Sequence, residues 1–176
     1  LEFRRVLFRS VSDYAKGVVT SRVASVLLAG AHAAGKEVVV DPRPQHASCY
    51  VGCDYLTPNW KESLGLLGEP EHPATDLEIV RVGSALGSRF SANVLLTLGS
   101  RGMAYFSREG GAPVHVEAAA REVFDVSGAG DTVVAAFALA RAAGVSAREA
   151  VDLANRAASI VVRSEEHTSE LQSRGL

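Results

Sequence analysis

No uninterrupted apolar run in this chain approaches the roughly 18 residues that a bilayer-spanning helix requires, so the sequence offers no candidate membrane span. No block of Lys and Arg stands out against a formal net charge of −2, which removes the electrostatic footprint of a nucleic-acid or anionic-membrane binder. Cysteine is scarce. Cys49 and Cys53 are the only two. Their C-x3-C spacing is neither the redox C-x-x-C nor half of a zinc site with a nearby partner pair. Buried or half-buried thiols in a reducing cytoplasm are the expectation. His32, His46, His72 and His115 are scattered and form no ligand spacing. No internal repeat and no low-complexity linker divides the chain, and no H-x-G-H signature of a nucleotidyltransferase occurs in it.

The two ends read differently from the middle. One DNA string that encodes residues 163–173 (RSEEHTSELQS) has a reverse complement that translates, after a stop codon, as LEFRRVLFRS, which is residues 1–10. The pair resembles a short-read sequencing adapter. The expectation is therefore that 1–10 and 163–176 are adapter-like scars, set aside from fold reasoning, and that 11–162 is the natural segment, cut at both ends. That segment carries 13 Lys+Arg against 16 Asp+Glu, and its length suits roughly one domain, whole or partial.

Within it, apolar strands alternate with helical patterns. Residues 21–34 form an alanine-rich amphipathic stretch stopped by Gly35, followed by a strand at 37–40 that ends in Asp41-Pro42. A short strand at 55–57 ends at Pro58-Asn59. A helix is predicted over 74–90, with Leu77, Val80 and Leu86 among its apolar positions, then a strand at 93–98 closed by Gly99. Strands at 103–106 and 114–116 read as a hairpin. Helices are predicted over 132–143 and 146–162, separated by Gly144, with Ser146 as an N-cap whose N3 residue is Glu149. Continuous apolar strands between helices predict an α/β fold, with a mostly parallel sheet covered on both faces. In such sheets ligands gather at the carboxyl ends of the strands. Asp41, Asn59, Gly99 and the Gly128–Gly130 turn all fall there or at a helix start.

The most informative stretch is Val123-Phe-Asp-Val-Ser-Gly-Ala-Gly-Asp-Thr132, with a helical pattern directly behind it. A helix N-terminus presents unpaired N–H groups and partial positive charge, so it suits an anion. Glycine lets the backbone approach that anion closely. Asp131 then stands beside a bound phosphate as a carboxylate able to take a proton from an attacking hydroxyl. An anion cradle plus a base is the minimum equipment for phosphoryl transfer. An ordinary Asp-capped helix after a glycine turn would read the same way.

Other polar positions admit two readings each. Asn59 and Glu62 could form a capping box, or could face phosphate and a hydrated Mg²⁺. Thr97, Gly99 and Gly102 could make a nucleotide-binding turn or a plain strand–turn–strand. Asp125 and Ser127 could bind a cation or simply brace the turn. Asp13 and Lys16, in a loop near the start of the natural segment, could contact a phosphate or lie in solvent.

Taken in this order, these pieces resemble the PfkB-type carbohydrate kinases, over essentially all of 11–162. The resemblance implies a ribokinase-like three-layer α/β/α sandwich, truncated at its N-terminal side. It implies Asp131 as catalytic base and the N–H groups at Gly128, Ala129 and Gly130 as an anion hole. Asn59 and Glu62 match an N-x-x-E element that organises Mg²⁺ and phosphate. Thr97, Gly99 and Gly102 match the nucleotide turn, Asn155 a position near the adenine, and Asp125 and Ser127 a site for a monovalent cation such as K⁺. Ser12–Gly17, Val40–Arg43 and Leu56–Asn59 are similar to the branch that phosphorylates the anomeric hydroxyl of a heptose 7-phosphate on the way to ADP-heptose and lipopolysaccharide. The implied partners are ATP and a sugar phosphate, in a cytoplasmic enzyme that is a homodimer when intact. Another PfkB kinase, for a pentose, hexose or nucleoside, or a non-catalytic nucleotide-binding module, stands as the alternative. Two positions depart from the family pattern: Ala15 stands where glycine is usual, and Trp60 replaces a smaller residue.

Overall fold

The computed structural model describes residues 9–118 and 128–173. The chain builds one six-stranded sheet in sequential order: β1 (Arg9–Ser12), β2 (Val38–Asp41), β3 (Tyr55–Leu56), β4 (Asn93–Thr97), β5 (Met103–Phe106) and β6 (Val114–Val116). β1 to β4 run parallel, and β4, β5 and β6 pair antiparallel. Parallel neighbours need long crossovers, which the helices supply, whereas β5 and β6 return through a short turn.

Helices α1 (Ser21–Ala33), α2 (Trp60–Leu67) and α3 (Asp76–Phe90) cover one face, and α4 (Ala129–Ala142) and α5 (Ala147–Ser173) cover the other. Alternation along the strands explains the division. Val38 and Val40 pack with Leu64, Val82, Leu86 and Phe90, while Val39 between them packs with Val134 and Phe137. The same holds for Leu95 of β4, which faces α4 while Val94 and Leu96 face α3. The sheet is thus buried on both sides, and its strands need to be apolar throughout. The result is the three-layer α/β/α sandwich with a mostly parallel sheet.

Three sequence expectations shift. α3 buries Ile79, Val82, Gly83, Leu86 and Phe90, whereas Leu77 is 84% exposed and Val80 also faces outward. The 3.6-residue period allowed more than one apolar stripe, and packing against β5, where Gly83 meets the Phe106 ring, selected this one. A 3₁₀ segment at Pro44–Cys49, which has no apolar periodicity to announce it, links β2 to the turn before β3. And α4 begins at Ala129, three residues before the predicted start, because Gly128 adopts a left-handed φ of 107° as the N-cap. The Ser146 cap holds as read: its Oγ accepts from the Glu149 amide at 3.3 Å, while the Glu149 carboxylate reaches back to the Ser146 amide. Cys49 and Cys53 are free and buried, and burial pushes the Cys53 thiol up to about 12.

Candidate active site

The carboxyl ends of the parallel strands open into one cleft of about 360 Å³. Asp41 ends β2, Thr57 follows β3 and Thr97 ends β4. Asn59 and Glu62 open α2, and Gly128, Gly130 and Asp131 open α4 from across the sheet. All of these line the cleft, together with Tyr14 and Arg43.

α4 points its N-terminus into this space. Ala129, Gly130 and Asp131 form its first turn, whose N–H groups lack intrahelical partners. Gly128 supplies no side-chain cap. Among the described residues, no protein acceptor takes those amides. The cradle expected at Gly128–Gly130 is therefore the open end of a helix, with the Asp131 carboxylate at its rim. The hydroxyl of Tyr14 donates to that carboxylate and lies 3.0 Å from both of its oxygens.

α2 opens on the same cleft with its N-terminus closed. Asn59 Oδ1 accepts from the Glu62 amide at 2.8 Å, and Glu62 Oε2 accepts from the Asn59 amide at 2.9 Å. The capping box is present, yet both residues still line the cleft. The other oxygen of Glu62, Oε1, is paired with Arg43 Nη1. An isolated parallel bridge joins Asn59 to Thr97 and fixes the β4 end beside α2.

Charge is crowded here. Burial, with Glu62, Asp131 and Asp13 nearby, raises the Asp41 carboxyl to about 7 against the opposing pull of Arg43. A cation would relieve that crowding. Among the described residues, no set of three or more His, Cys, Asp or Glu side chains converges to cage a metal. Glu62 and Asn59 offer the hard oxygen ligands that a divalent cation takes.

The remaining predicted positions fall at different distances from this centre. Gly99 and Gly102 shape the turn after β4, with φ of 60° and 81°. A Cβ at Gly102 would also run into the Val116 carbonyl, so this glycine holds the turn against β6. Asn155 is buried in α5, and its side-chain amide donates to the Glu117 carbonyl at 2.8 Å. Lys16 is exposed and does not line the cleft. Asp13 is only 1% exposed and is not an open phosphate contact: it accepts from the Ala15 amide at 2.8 Å, from the Tyr50 hydroxyl, and pairs with His46 Nδ1 at 2.6 Å. Burial works against its charge, and these hydrogen bonds outweigh it, holding the carboxyl below its ordinary range. Asp125 and Ser127 lie outside the described residues. Tyr14 escaped the sequence reading, although it sits between Asp13 and Lys16. Asp41 and Arg43 were noted only as part of a strand end.

The pfkB family carbohydrate kinase profile matches residues 6–174. The chain is 42% identical over 152 residues to the "Bifunctional protein HldE" of Azorhizobium caulinodans and 45% identical over 155 residues to that of Caulobacter sp.. It covers 86% of its own length and 31% of theirs in each case, so it spans about a third of these relatives. Among solved structures it is similar to Arabidopsis thaliana ribokinase complexed with ribose and ATP, with a TM-score of 0.76 at 28% identity, over 91% of this chain and 51% of that one. It shares its fold with Escherichia coli phosphofructokinase-2 in complex with potassium, with a TM-score of 0.70 at 22% identity, over 85% and 48%. With the family profile covering nearly its whole length, a cleft at the strand ends and a glycine-opened helix bearing Asp131, this chain belongs to the pfkB family of carbohydrate kinases.

Proposed function

We propose that this chain is the catalytic portion of an ATP-dependent sugar kinase, one that phosphorylates the anomeric hydroxyl of a heptose 7-phosphate in ADP-heptose synthesis. The observation that carries the reading is the uncapped N-terminus of α4, with Asp131 in its first turn, facing Asn59, Glu62 and Thr97 across one cleft. The identity to HldE proteins favours the heptose branch over pentose or hexose kinases.

In this reading Asp131 accepts the proton of the attacking sugar hydroxyl. The first-turn amides of α4 hold the negative charge that spreads over the transferred phosphoryl oxygens. Glu62 and Asn59 would hold a hydrated Mg²⁺, with Arg43 fixing the Glu62 side chain. Bound Mg²⁺ supplies neutralisation of phosphate charge. The turn at Thr97–Gly102 would receive the nucleotide, and Asn155, which ties down the Glu117 carbonyl, would lie near the adenine. Asp125 and Ser127 would accommodate a monovalent cation.

Asp131→Asn in the uninterrupted enzyme tests the assignment. Turnover is expected to fall by about 10²- to 10⁴-fold while ATP binding, followed by calorimetry, survives. Full activity in that variant would remove the base. We further propose that residues 11–162 are a piece of a longer kinase, since they match about half of each solved relative. Alone they are expected to leave heptose 7-phosphate unphosphorylated, and measurable product would overturn this.

A further inference from the structure

The loop after β1 carries a tyrosine that no sequence pattern singled out. Tyr14 is 53% exposed, yet its hydroxyl is directed at the one carboxylate on which the proposed chemistry turns. The two oxygens of Asp131 are equidistant from it, at 3.0 Å each. A single proton between two oxygens can settle on either one and leave the other open to a second donor. Asp131 is also exposed, so nothing but this hydroxyl fixes its carboxylate among the described residues.

The loop is built to hold the tyrosine there. Asp13, immediately before it, is buried and tied to His46, Tyr50 and the Ala15 amide. The Asp13 amide donates to the Asp41 carbonyl at 3.1 Å, extending the β1–β2 pairing into the loop. Ala15, immediately after, takes a left-handed φ of 53°, and Gly17 one of 84°. A left-handed alanine costs on the order of 1 kcal/mol, and such strain persists only where the surroundings impose it. Here the strained turn aims Tyr14 across to α4. On its other side the Tyr14 ring lies 5.9 Å from the Arg43 guanidinium, whose head pairs with Glu62. One line of contacts therefore runs from Asp131 through Tyr14 and Arg43 to Glu62.

We propose that Tyr14 is a positioning residue for Asp131: its hydroxyl stays on one carboxylate oxygen and holds the other facing the cleft, where the sugar hydroxyl takes it. This rests on Asp131 being the base. Tyr14 and the sugar hydroxyl are both O–H donors, and the carboxylate has an oxygen for each. Pre-set geometry of this kind raises turnover, and its loss is felt in kcat.

The test is Tyr14→Phe in the uninterrupted enzyme, which keeps the ring and its stacking on Arg43 and removes only the hydroxyl. We expect kcat to fall about three- to ten-fold, the worth of a typical intramolecular hydrogen bond, with KM for ATP unchanged and KM for the sugar no higher. A merely structural tyrosine would instead raise both KM values or lower the melting temperature. Unchanged kcat, or a fall accompanied by a higher sugar KM, would overturn the proposal. Tyr14→Ala, which also removes the ring from Arg43, is expected to lose at least as much kcat; full kcat there would overturn it as well. Asp131→Asn separates the two levels. If that variant falls as expected and Tyr14→Phe is fully active, the positioning role alone fails. If Asp131→Asn keeps full activity, the base assignment fails and takes this proposal with it.

Discussion

Two helices begin on the same cleft, and they begin differently. α2 is capped by its own side chains: Asn59 and Glu62 complete a reciprocal capping box that satisfies two of its first amides. α4 begins on a glycine in the left-handed region with no side-chain cap, and no acceptor among the described residues takes its first amides. The same physical need, the unpaired N–H groups of a helix start, is half met by side chains in one helix and, among the described residues, unmet in the other. Uncapped amides at the mouth of a cleft suit an anion. In the proposed reading the contrast divides the labour: α4 contributes backbone, and α2 contributes the side-chain oxygens that its cap leaves in view. Asp41 sits between the two, which is why its carboxyl is crowded by Glu62 from one side and Asp131 from the other.

The sharpest way to break the contrast is to change one carboxylate at each helix start. Asp131→Asn should lower kcat by about 10²- to 10⁴-fold, the usual worth of a positioned base, with the thermal midpoint nearly unmoved, because no cap depends on it. Glu62→Gln should behave otherwise. Glutamine can still close the capping box, so stability should hold, while the Mg²⁺ concentration for half-maximal rate should rise about ten-fold, in line with the loss of an orienting group. If Glu62→Gln leaves the Mg²⁺ dependence unchanged, α2 is only a well-capped helix.

Asn59→Ala probes the cap itself. About 1 kcal/mol of stability should go with it, lowering the melting temperature by about 2–4 °C; the matching substitution Gly128→Ala removes no cap and should act only through its strained φ. Asp41 reports on the space between the helices. Its carboxyl titrates near 7 in the folded chain against an ordinary value of 3.8. The folded state therefore holds a proton that the unfolded state releases, so stability falls as pH rises from about 4 to about 7 and is level above that. Asp41→Asn should remove this slope, which urea titrations at pH 4, 5.5 and 7.5 would detect. The smallest effect concerns Ala15. Glycine there should relieve the left-handed strain and raise stability by up to about 1 kcal/mol, while an unchanged melting temperature would show that the loop is not strained.

Much of this was legible in the chain. The alternation of strands and helices, the cover on both faces of the sheet and the polar residues past the strand ends follow from periodicity and from where apolar runs stop. The Gly-Ala-Gly-Asp turn and the Asn59/Glu62 pair were visible as local patterns, and folding brings Gly128, Gly130, Asp131, Asn59 and Glu62 to one cleft. Other features were not. The stripe of α3 that is buried depends on Phe106 filling the space beside Gly83. The fate of Asp13 depends on His46 and Tyr50, more than thirty residues away in sequence. Tyr14 and Asp131 are 117 residues apart, and no local pattern links them.

Sequence alone determined the layers and, through the family resemblance, pointed to the kind of chemistry, because side-chain alternation, helix periodicity and glycine at a helix mouth act over a few neighbouring residues. Only the tertiary structure decided which polar groups stay open and which are spent. Asp13 is buried and satisfied, Glu62 is shared between a cap and Arg43, and, among the described residues, Asp131 is held by the Tyr14 hydroxyl alone. That sorting depends on partners brought together by the folding of the sheet, and a hydrogen bond between distant segments leaves no trace in the order of the residues.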